Sequence, residues 1–221
     1  MAQDIRFWDR TARLYAPLQE RKGRRLYAAL TERCRVYVTG ADVLELGCGS
    51  GQLTRPLSPA AASWEATDIS GEMVRAAQRR GDCPARFSVA DAAHLPYEED
   101  RFGVVLMANA LHIMPSPECA LAEIRRVLRP GGILLIPTFV YEGKIPRFRM
   151  WCLGRMGFQT YHRWKLRDLA AFVEKADFRI KETALLPGHP LTEGWVAAEK
   201  PKNKGSTGNR NDRTSKEEQK L

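Results

Sequence analysis

The segment VLELGCGSGQLT, residues 43–54, places three glycines within five residues directly after a short apolar run. The apolar run predicts a buried strand at residues 42–46. The glycines predict a tight turn that approaches a ligand closely, because glycine adopts positive φ and has no Cβ. A dinucleotide fingerprint, GxGxxG, would need a glycine where Gln52 stands, so the turn is GxGxG instead. Glu45 would repel a pyrophosphate and suits a cationic ligand.

Short apolar runs alternate with stretches of helical periodicity along the chain. This alternation predicts an α/β fold: a doubly wound, Rossmann-like, seven-stranded sheet, mostly parallel, with N-terminal helices and a helical lid insert. The last two strands are joined by a loop too short for a crossover helix, so the last strand is expected to be antiparallel. The predicted strands are 42–46, 63–67, 86–89, 102–108, 132–138, 178–186 and 194–199. The predicted helices are 4–16, 18–39, 50–57, 70–81, 117–128 and 166–176.

Pattern and composition divide the chain into three parts. Residues 1–40 predict an N-terminal helical cap, and residues 41–200 predict one ligand-binding domain with a lid insert at about 139–165. Residues 201–221 contain one aliphatic residue and no aromatic residue, so they bury too little surface to offset the entropy of ordering. We expect a disordered basic tail there.

The net charge of +9 is unevenly distributed. Residues 41–140 hold 9 Lys and Arg against 12 Asp and Glu, so the basic excess flanks the glycine turn on both sides. Nucleic acid or an anionic membrane surface are conceivable partners for such an excess. Solvated helix faces and a disordered tail account for it more simply, and no specific nucleic-acid partner is expected.

Cysteine usage and hydropathy bound the class of protein. The five cysteines include no CxxC pair and are odd in number, which predicts neither a zinc site nor a disulfide framework, and no metal. No apolar run approaches the roughly 18 residues that span a bilayer. The first ten residues carry charge throughout and lack the apolar core of a signal peptide. We therefore expect a cytoplasmic protein without a transmembrane segment, and its oligomeric state stays open.

Polar side chains follow the predicted strands where each strand ends. Asp68 ends the second strand, 21 residues after Gly47, a distance at which an acid commonly accepts hydrogen bonds from ribose hydroxyls. Asp91 follows the third strand and Asn109 follows the fourth. Because parallel strands end at one edge of a sheet, these side chains are expected to converge there.

Five segments in this order, VLELGCGSGQLT, ATDISGEM, VADAAHLP, FGVVLMANALHIM and LRPGG, span about residues 40–140. Together they resemble the class I S-adenosylmethionine-dependent methyltransferases, in the methyltransferase-11-like branch that methylates small molecules. The resemblance implies S-adenosylmethionine as the cofactor and a small-molecule methyl acceptor as the substrate. The implied cofactor-binding residues are Tyr15, Glu45, Gly47, Cys48, Gly49, Gln52, Asp68, Ile69, Met73, Asp91, Ala92 and Asn109.

The resemblance assigns part of this set to the methionine end of the cofactor. Glu45 and the backbone of Gly47 and Gly49 would face the methionine moiety, with Asn109 beside it. Tyr15 matches an N-terminal helix from which an aromatic hydroxyl reaches the cofactor carboxylate. Packing in the core is an almost equal alternative for Tyr15.

The same resemblance assigns other residues to the adenosine end. Asp68 would hold the ribose hydroxyls, and Ile69 and Met73 would lie against the adenine. Asp91 would bind the adenine amino group, and Ala92 would bind a ring nitrogen through its backbone.

Methyl transfer from a sulfonium is an in-line displacement in which positioning can supply ~7–11 kcal/mol. A general base is needed only for an acceptor that is protonated at neutral pH. His112, in NALHIM, follows the fourth strand and is expected to face the pocket mouth. It is a candidate catalytic base, and the alternative is that it packs and orients a loop.

Two sequence features bear on the acceptor. The segment after the fourth strand reads ANALHIM and lacks the Asn/Asp-Pro-Pro-aromatic motif of related enzymes that methylate amino groups on bases or Gln side chains. The insert at 139–165 is dense in aromatic residues, Met and Arg, and is expected to cover the pocket as a substrate lid through Tyr141, Trp151 and His162. The alternative is a helical segment packed on the sheet edge with its arginines in solvent.

Three other functions are compatible with parts of the sequence. A nicotinamide-dependent oxidoreductase shares the sheet, although Gln52 and Glu45 count against it. A non-catalytic, cofactor-binding regulator would keep the same motifs. An RNA methyltransferase would fit the net charge of +9, although no recognisable RNA-binding module accompanies it.

Overall fold

The computed structural model describes residues 6–12, 23–142, 160–188 and 192–202. Its helices are α1 (6–12), α2 (Arg24–Val38), α3 (Thr54–Leu57), α4 (Gly71–Gln78), α5 (Pro117–Val127) and α6 (Leu166–Lys175). Two 3₁₀ turns lie at Ser58–Ala60 and Leu111–Ile113. The strands are β1 (Asp42–Leu46), β2 (Ser63–Asp68), β3 (Arg86–Val89), β4 (Phe102–Met107), β5 (Leu128–Val140), β6 (Arg179–Leu186) and β7 (Thr192–Glu199).

The seven strands form one sheet in the order β3-β2-β1-β4-β5-β7-β6. Strand β1 pairs in parallel with β2 on one side and with β4 on the other. Strand β7 is antiparallel to both of its neighbours, β5 and β6. The predicted fold class, a doubly wound, mostly parallel sheet with an antiparallel last strand, is confirmed. The strand order reverses at β1, which is where open α/β sheets bind ligands.

Alternation along the central strands builds two cores, one on each face of the sheet. In β1, Val43 faces the core formed with α2, whereas its neighbour Leu44 faces the core formed with α5 and α6. In β4, Val104 and Val105 divide in the same way. Side chains of successive strand residues point to opposite faces, so a strand covered on both sides must be apolar throughout. This requirement explains the continuous apolar run at residues 102–107.

Several boundaries differ from the prediction, and the structure explains two of them. Strand β5 begins at Leu128, which pairs with Phe102 of β4, and Lys200, after the end of β7, bonds Gly131 and Gly132 on the other side of the strand. Helix α3 begins only at Thr54 because the glycine turn occupies the preceding residues in left-handed conformations. The predicted cap of α4 is present, since Ser70 Oγ accepts a hydrogen bond from Met73 N at 3.1 Å.

The predicted domain boundaries stay predictions. Most of the lid insert, residues 143–159, lies outside the described residues, as do 13–22 of the N-terminal cap and 203–221 of the tail. The described ends of the insert run into β5 at one side and into α6 at the other. Within the described ranges, no helix is both long and apolar enough to cross a membrane.

Lys200 lies directly after β7 and bonds residues near the start of β5. Its contribution to the stability of the sheet can be measured by substitution. Its Nζ donates to Asp100 Oδ1 at 2.6 Å and to the Leu128 carbonyl at 2.7 Å. We expect Lys200→Met to lower the free energy of unfolding by about 1–2 kcal/mol, because hydrogen bonds from a partly buried charged donor are lost. Urea denaturation followed by circular dichroism measures this change.

The matched control is Lys202→Met, two residues further on, where the side chain is exposed. Its free energy of unfolding should stay within about 0.5 kcal/mol of the unmodified protein, as for most surface substitutions. Equal losses in the two variants would contradict a specific role for Lys200.

Candidate functional site

A cavity opens at the carboxyl edge of the sheet, where β1, β2 and β4 end. It lies at the position where the strand order reverses. Eleven of the twelve residues predicted to bind a cofactor line it, and Tyr15 lies outside the described residues. The eleven are Glu45, Gly47, Cys48, Gly49, Gln52, Asp68, Ile69, Met73, Asp91, Ala92 and Asn109.

The glycine turn after β1 forms one wall of the cavity. Gly47, Gly49 and Gly51 all have positive φ, at 69°, 54° and 82°. A Cβ on Gly47 would lie 2.9 Å from the Cβ of Ala110, which is closer than packed side chains approach. The glycine turn therefore packs directly against the turn that follows β4, and both line the cavity.

Glu45 is buried beneath the glycine turn and is 2% exposed. Its Oε2 accepts hydrogen bonds from Thr54 Oγ1 at 2.6 Å and from Trp64 Nε1 at 2.9 Å. Burial raises the pKa of Glu45 to about 7, against the two hydrogen bonds that favour the carboxylate. A cation bound in the cavity would favour the ionised form, because an opposite charge nearby lowers a carboxyl pKa.

Asp68, at the end of β2, joins the glycine turn to the start of α4. Its Oδ2 accepts from Gly49 N at 2.8 Å and its Oδ1 accepts from Ser70 N at 2.9 Å. Burial raises the pKa of Asp68, and the two backbone donors oppose that shift. Each carboxylate oxygen can accept more than one hydrogen bond, so this side chain can also accept from the hydroxyls of a ligand.

The N-terminal helix reaches the same region. Asp9 of α1 accepts a hydrogen bond from Ser70 Oγ at 2.6 Å, and Trp8 lines the cavity. Tyr27 of α2 lines it as well. The cap therefore contributes aromatic side chains to the cavity from two helices.

Asn109 occupies a left-handed conformation, with φ of 52°, directly after β4. Its backbone N donates to the Pro137 carbonyl at 2.8 Å, and its Oδ1 accepts from Phe139 N at 3.2 Å. Asparagine adopts this conformation more readily than most residues. On the opposite side of the cavity, Asp91 Oδ1 accepts from Ala93 N at 2.9 Å, which turns the chain after β3.

His112 does not face the cavity as the sequence predicted. It lies in the 3₁₀ turn at Leu111–Ile113, is 1% exposed and is not among the lining residues, whereas Ile113 lines the cavity. Its Nδ1 lies 2.7 Å from Thr138 Oγ1, and its ring packs edge-on against Phe139. Burial, with His162 nearby, lowers the pKa of His112 to about 4. This geometry matches the alternative of packing and loop orientation.

The described ends of the predicted lid are anchored beside the cavity. His162 N donates to the His112 carbonyl at 3.1 Å, and the His162 ring stacks on Trp164 at 4.8 Å. Tyr141 N donates to the Trp164 carbonyl at 2.8 Å. Neither Tyr141 nor His162 lines the cavity, and Trp151 lies outside the described residues.

Eleven further residues line the cavity that the sequence did not single out, among them Trp8, Tyr27, Ile113, Met114 and Pro115. Trp8 lies in the predicted helix 4–16, and the position of an apolar residue along a helix does not by itself distinguish a core residue from a cavity-lining residue. Ile113, Met114 and Pro115 form a short apolar segment after the fourth strand, and the sequence shows this segment.

The charges of the lining are all of one sign. Glu45, Asp68 and Asp91 contribute carboxyl groups, and the described lining contains no Lys, Arg or His. Burial also keeps the Cys48 thiol neutral by raising its pKa. Over the described part of the chain, no group of three His, Cys, Asp or Glu is arranged to hold a metal ion.

Comparison with known proteins finds similarity to methyltransferases over part of the chain. The family model described as "Methyltransferase domain" matches residues 44–136. Over 105 residues, 43% are identical to phthiotriol/phenolphthiotriol dimycocerosates methyltransferase 1 of Mycobacterium ulcerans, which covers 45% of this chain and 38% of that protein. Over 116 residues, 34% are identical to demethylmenaquinone methyltransferase of Clavibacter sepedonicus, which covers 52% of this chain and 47% of that protein. The chain thus spans less than half the length of these relatives.

A solved structure shows the same fold over most of the chain. It is the complex between the Haloferax volcanii Trm112 methyltransferase activator and a methyltransferase. The match has a TM-score of 0.75 at 19% identity and covers 88% of this chain and 97% of that chain. The family model and the relatives bear out the predicted resemblance to the class I methyltransferases, and the solved structure shows the shared fold.

The glycine turn generates a prediction with an internal control. Gly49→Val is expected to weaken binding of S-adenosylhomocysteine by more than tenfold, because a β-branched side chain is strained at positive φ and intrudes on the cavity. Isothermal titration calorimetry on the folded variant measures the affinity.

Gly40→Val is the matched control. Gly40 also has positive φ, at 69°, but a Cβ there would meet nothing within 4 Å, and the residue does not line the cavity. The two variants share the backbone strain and should both lose stability. Only Gly49→Val should lose affinity, and equal affinities would mean that the glycine serves packing alone.

Proposed function

We propose that residues 44–136, which match the methyltransferase family model, form a class I S-adenosylmethionine-dependent methyltransferase domain that transfers a methyl group to a small-molecule acceptor. The observation that carries the proposal is the charge of the cavity. Three carboxyl groups and no basic side chain line its described part. Such a lining attracts a ligand that carries positive charge and repels a pyrophosphate, as Coulomb's law requires for charges within a few ångströms.

The residues present fit S-adenosylmethionine. The glycine turn brings bare backbone to the cavity, Asp68 offers carboxylate oxygens for ribose hydroxyls, and Ile69 and Met73 offer apolar surface for the adenine. Asp91 and Glu45 would face the adenine amino group and the cationic methionine moiety. When bound, the cofactor supplies a methyl group on a sulfonium, which is a good leaving group.

The chain's own contribution to such a reaction is positioning. Holding an acceptor in line with the methyl carbon can supply ~7–11 kcal/mol of the barrier. The described lining contains no histidine, and His112 is held at Thr138 behind the cavity wall. We therefore place proximity and orientation ahead of general base catalysis by His112.

The acceptor class follows from the remaining surface of the cavity. Trp8, Ile113, Met114 and Pro115 are apolar, and no described cation is present to hold an anionic group. A neutral, partly apolar small molecule fits such a lining better than RNA, whose phosphates need basic contacts. The names of the two relatives, which specify phthiotriol/phenolphthiotriol dimycocerosates and demethylmenaquinone, support an acceptor of this kind.

The test is a panel assay with S-adenosylmethionine labelled in its methyl group. Purified protein is incubated with phenols, quinols, long-chain alcohols, small amines and total RNA, and the label in each acceptor is counted. Label in a small molecule supports the proposal, and label in RNA would favour the alternative of an RNA methyltransferase. Tight binding of the cofactor with no transfer to any acceptor would favour a non-catalytic regulator, and preferential binding of a nicotinamide cofactor would favour an oxidoreductase.

Asp68 provides the prediction for the cofactor. Asp68→Asn is expected to weaken binding of S-adenosylhomocysteine by roughly tenfold or more, since hydrogen bonds to a charged group contribute ~1.5–3 kcal/mol. The substitution keeps the shape of the side chain, but its single oxygen can accept from only one of the two backbone amides that Asp68 bonds, Gly49 N and Ser70 N. Calorimetry gives the affinity, and a melting curve confirms that the variant is folded.

The control for this substitution is Asp82→Asn, which changes an exposed acid outside the cavity. It alters the net charge of the protein by the same amount as Asp68→Asn. It should bind as the unmodified protein does. If Asp68→Asn also binds with unchanged affinity, Asp68 does not hold the ribose.

A further inference from the structure

Glu193 is a buried acid on β7 that the proposed reaction does not use. It is 0% exposed, and it lies opposite Phe139 on β5 and opposite Leu186 on β6. Alternation along β7 places it on the same face of the sheet as Trp195. Within the described residues, neither carboxyl oxygen makes a hydrogen bond of ordinary geometry. The partner of Glu193 on β5, Phe139, donates its backbone N to Asn109 Oδ1, which brings the Asn109 side chain to the carboxyl.

This acid costs the fold stability. Burial raises the pKa of Glu193 to about 8, and the Asn109 side chain only partly opposes that shift. At neutral pH the carboxyl therefore carries a proton, because a buried charge with one weak partner is disfavoured. Burying a polar group with incomplete hydrogen bonding costs free energy that an apolar side chain of similar size would not.

The Glu193 carboxyl faces the turn at Asn109 and Ala110, and both of these residues line the cavity. The Asn109 backbone N and Oδ1 are already bonded to Pro137 and Phe139 of β5. The side-chain amide nitrogen is the remaining donor of Asn109, and it is the group suited to a carboxyl oxygen. The next residue, Ala110, is the one that packs against Gly47. Glu193, Asn109, Ala110 and the glycine turn thus form one continuous line of contacts from β7 to the cavity.

We propose that Glu193 is a positioning residue for the cofactor site, which acts by holding the Asn109 side chain and so fixing residues 108–110 against the glycine turn. The binding measurements for this inference rest on the proposed function, because they use S-adenosylhomocysteine as the ligand. Left-handed backbone outside glycine persists where the surrounding structure over-determines it. Here the over-determination comes from two strands, since β5 holds the backbone N and Oδ1 of Asn109 and β7 supplies the carboxyl.

The decisive variants are Glu193→Leu and Glu193→Gln. Glu193→Leu removes the polar group and keeps the volume, so its melting temperature should equal or exceed that of the unmodified protein. Its affinity for S-adenosylhomocysteine should nevertheless fall about tenfold. Glu193→Gln keeps an oxygen that can accept from the Asn109 side-chain nitrogen, so its affinity should stay within about twofold. A residue with a purely structural role would not give opposite changes in stability and affinity, nor rescue by Gln.

A double-mutant cycle tests the route through Asn109. Asn109→Ala alone should weaken binding, and adding Glu193→Leu to it should weaken binding no further, because contacting residues are non-additive. The control is Glu182→Leu, which removes an acid on the neighbouring strand β6 that pairs with Arg33 and Tyr37 outside the cavity. It should leave the affinity unchanged. An unaltered affinity in Glu193→Leu, or full additivity with Asn109→Ala, would overturn the proposal.

Hydrogen exchange separates this inference from the proposed function. In the ligand-free protein, amides of residues 108–112 should exchange faster in Glu193→Leu than in Glu193→Gln, whether or not any cofactor binds. If the unmodified protein does not bind S-adenosylhomocysteine, the proposed function fails while this measurement still decides the role of Glu193. Equal exchange rates in the two variants would refute the positioning role. The measurement can still be made if the leucine variant is only partly stable, because it needs no bound ligand.

Discussion

The contact on which the site depends is the pair of hydrogen bonds that Asp68 accepts from the backbone amides of Gly49 and Ser70. One amide belongs to the turn after β1 and the other to the residue that caps α4. A single carboxylate thus fixes the relative position of two strand-to-helix connections at the edge where the strand order reverses. The Ser70 hydroxyl donates a hydrogen bond to Asp9 of α1. The N-terminal helix is therefore held by the residue that Asp68 positions. Burial works against the ionised form of Asp68, and the two backbone donors offset part of that cost.

The parts of this arrangement that depend on local pattern could be predicted from the sequence. The apolar run at residues 102–107 must be a strand covered on both faces, and Asp68 and Asp91 must meet at one edge if their strands are parallel. The burial of Glu193 could not be predicted, because an acid two residues before a tryptophan resembles any exposed strand position. The extension of β5 involves non-local contacts, because Leu128 pairs with Phe102 of β4, and Gly131 and Gly132 bond Lys200 after β7. His112 was misplaced for a similar reason, since a 3₁₀ turn after β4 rotates its ring towards Thr138.

The distribution of charge separates the cavity from the outer surface. The chain carries a net charge of +9, yet the described lining of the cavity is acidic. Several arginines are committed to structure: Arg126 bonds the carbonyls of Leu95 and Tyr97 together with Glu123, and Arg55 bonds the carbonyls of Ala77 and Gly81. A basic total charge is therefore a poor guide to the ligand of this site. The buried acids Glu45 and Asp68 cost folding stability, and a cationic ligand would recover part of that cost on binding.

The segment after β4 links the two halves of the proposed reaction. Its first residues, Asn109 and Ala110, are held against the glycine turn, and its last, Ile113 to Pro115, line the apolar part of the cavity. Between them, the His112 carbonyl accepts hydrogen bonds from Tyr161 and His162 at the described end of the insert. Any shift of that end must therefore be transmitted to the backbone that lines the cavity, since His112 is buried and bonded to β5. The position of His112 in the structure therefore suits it to joining the insert to the cavity rather than to acting as a base.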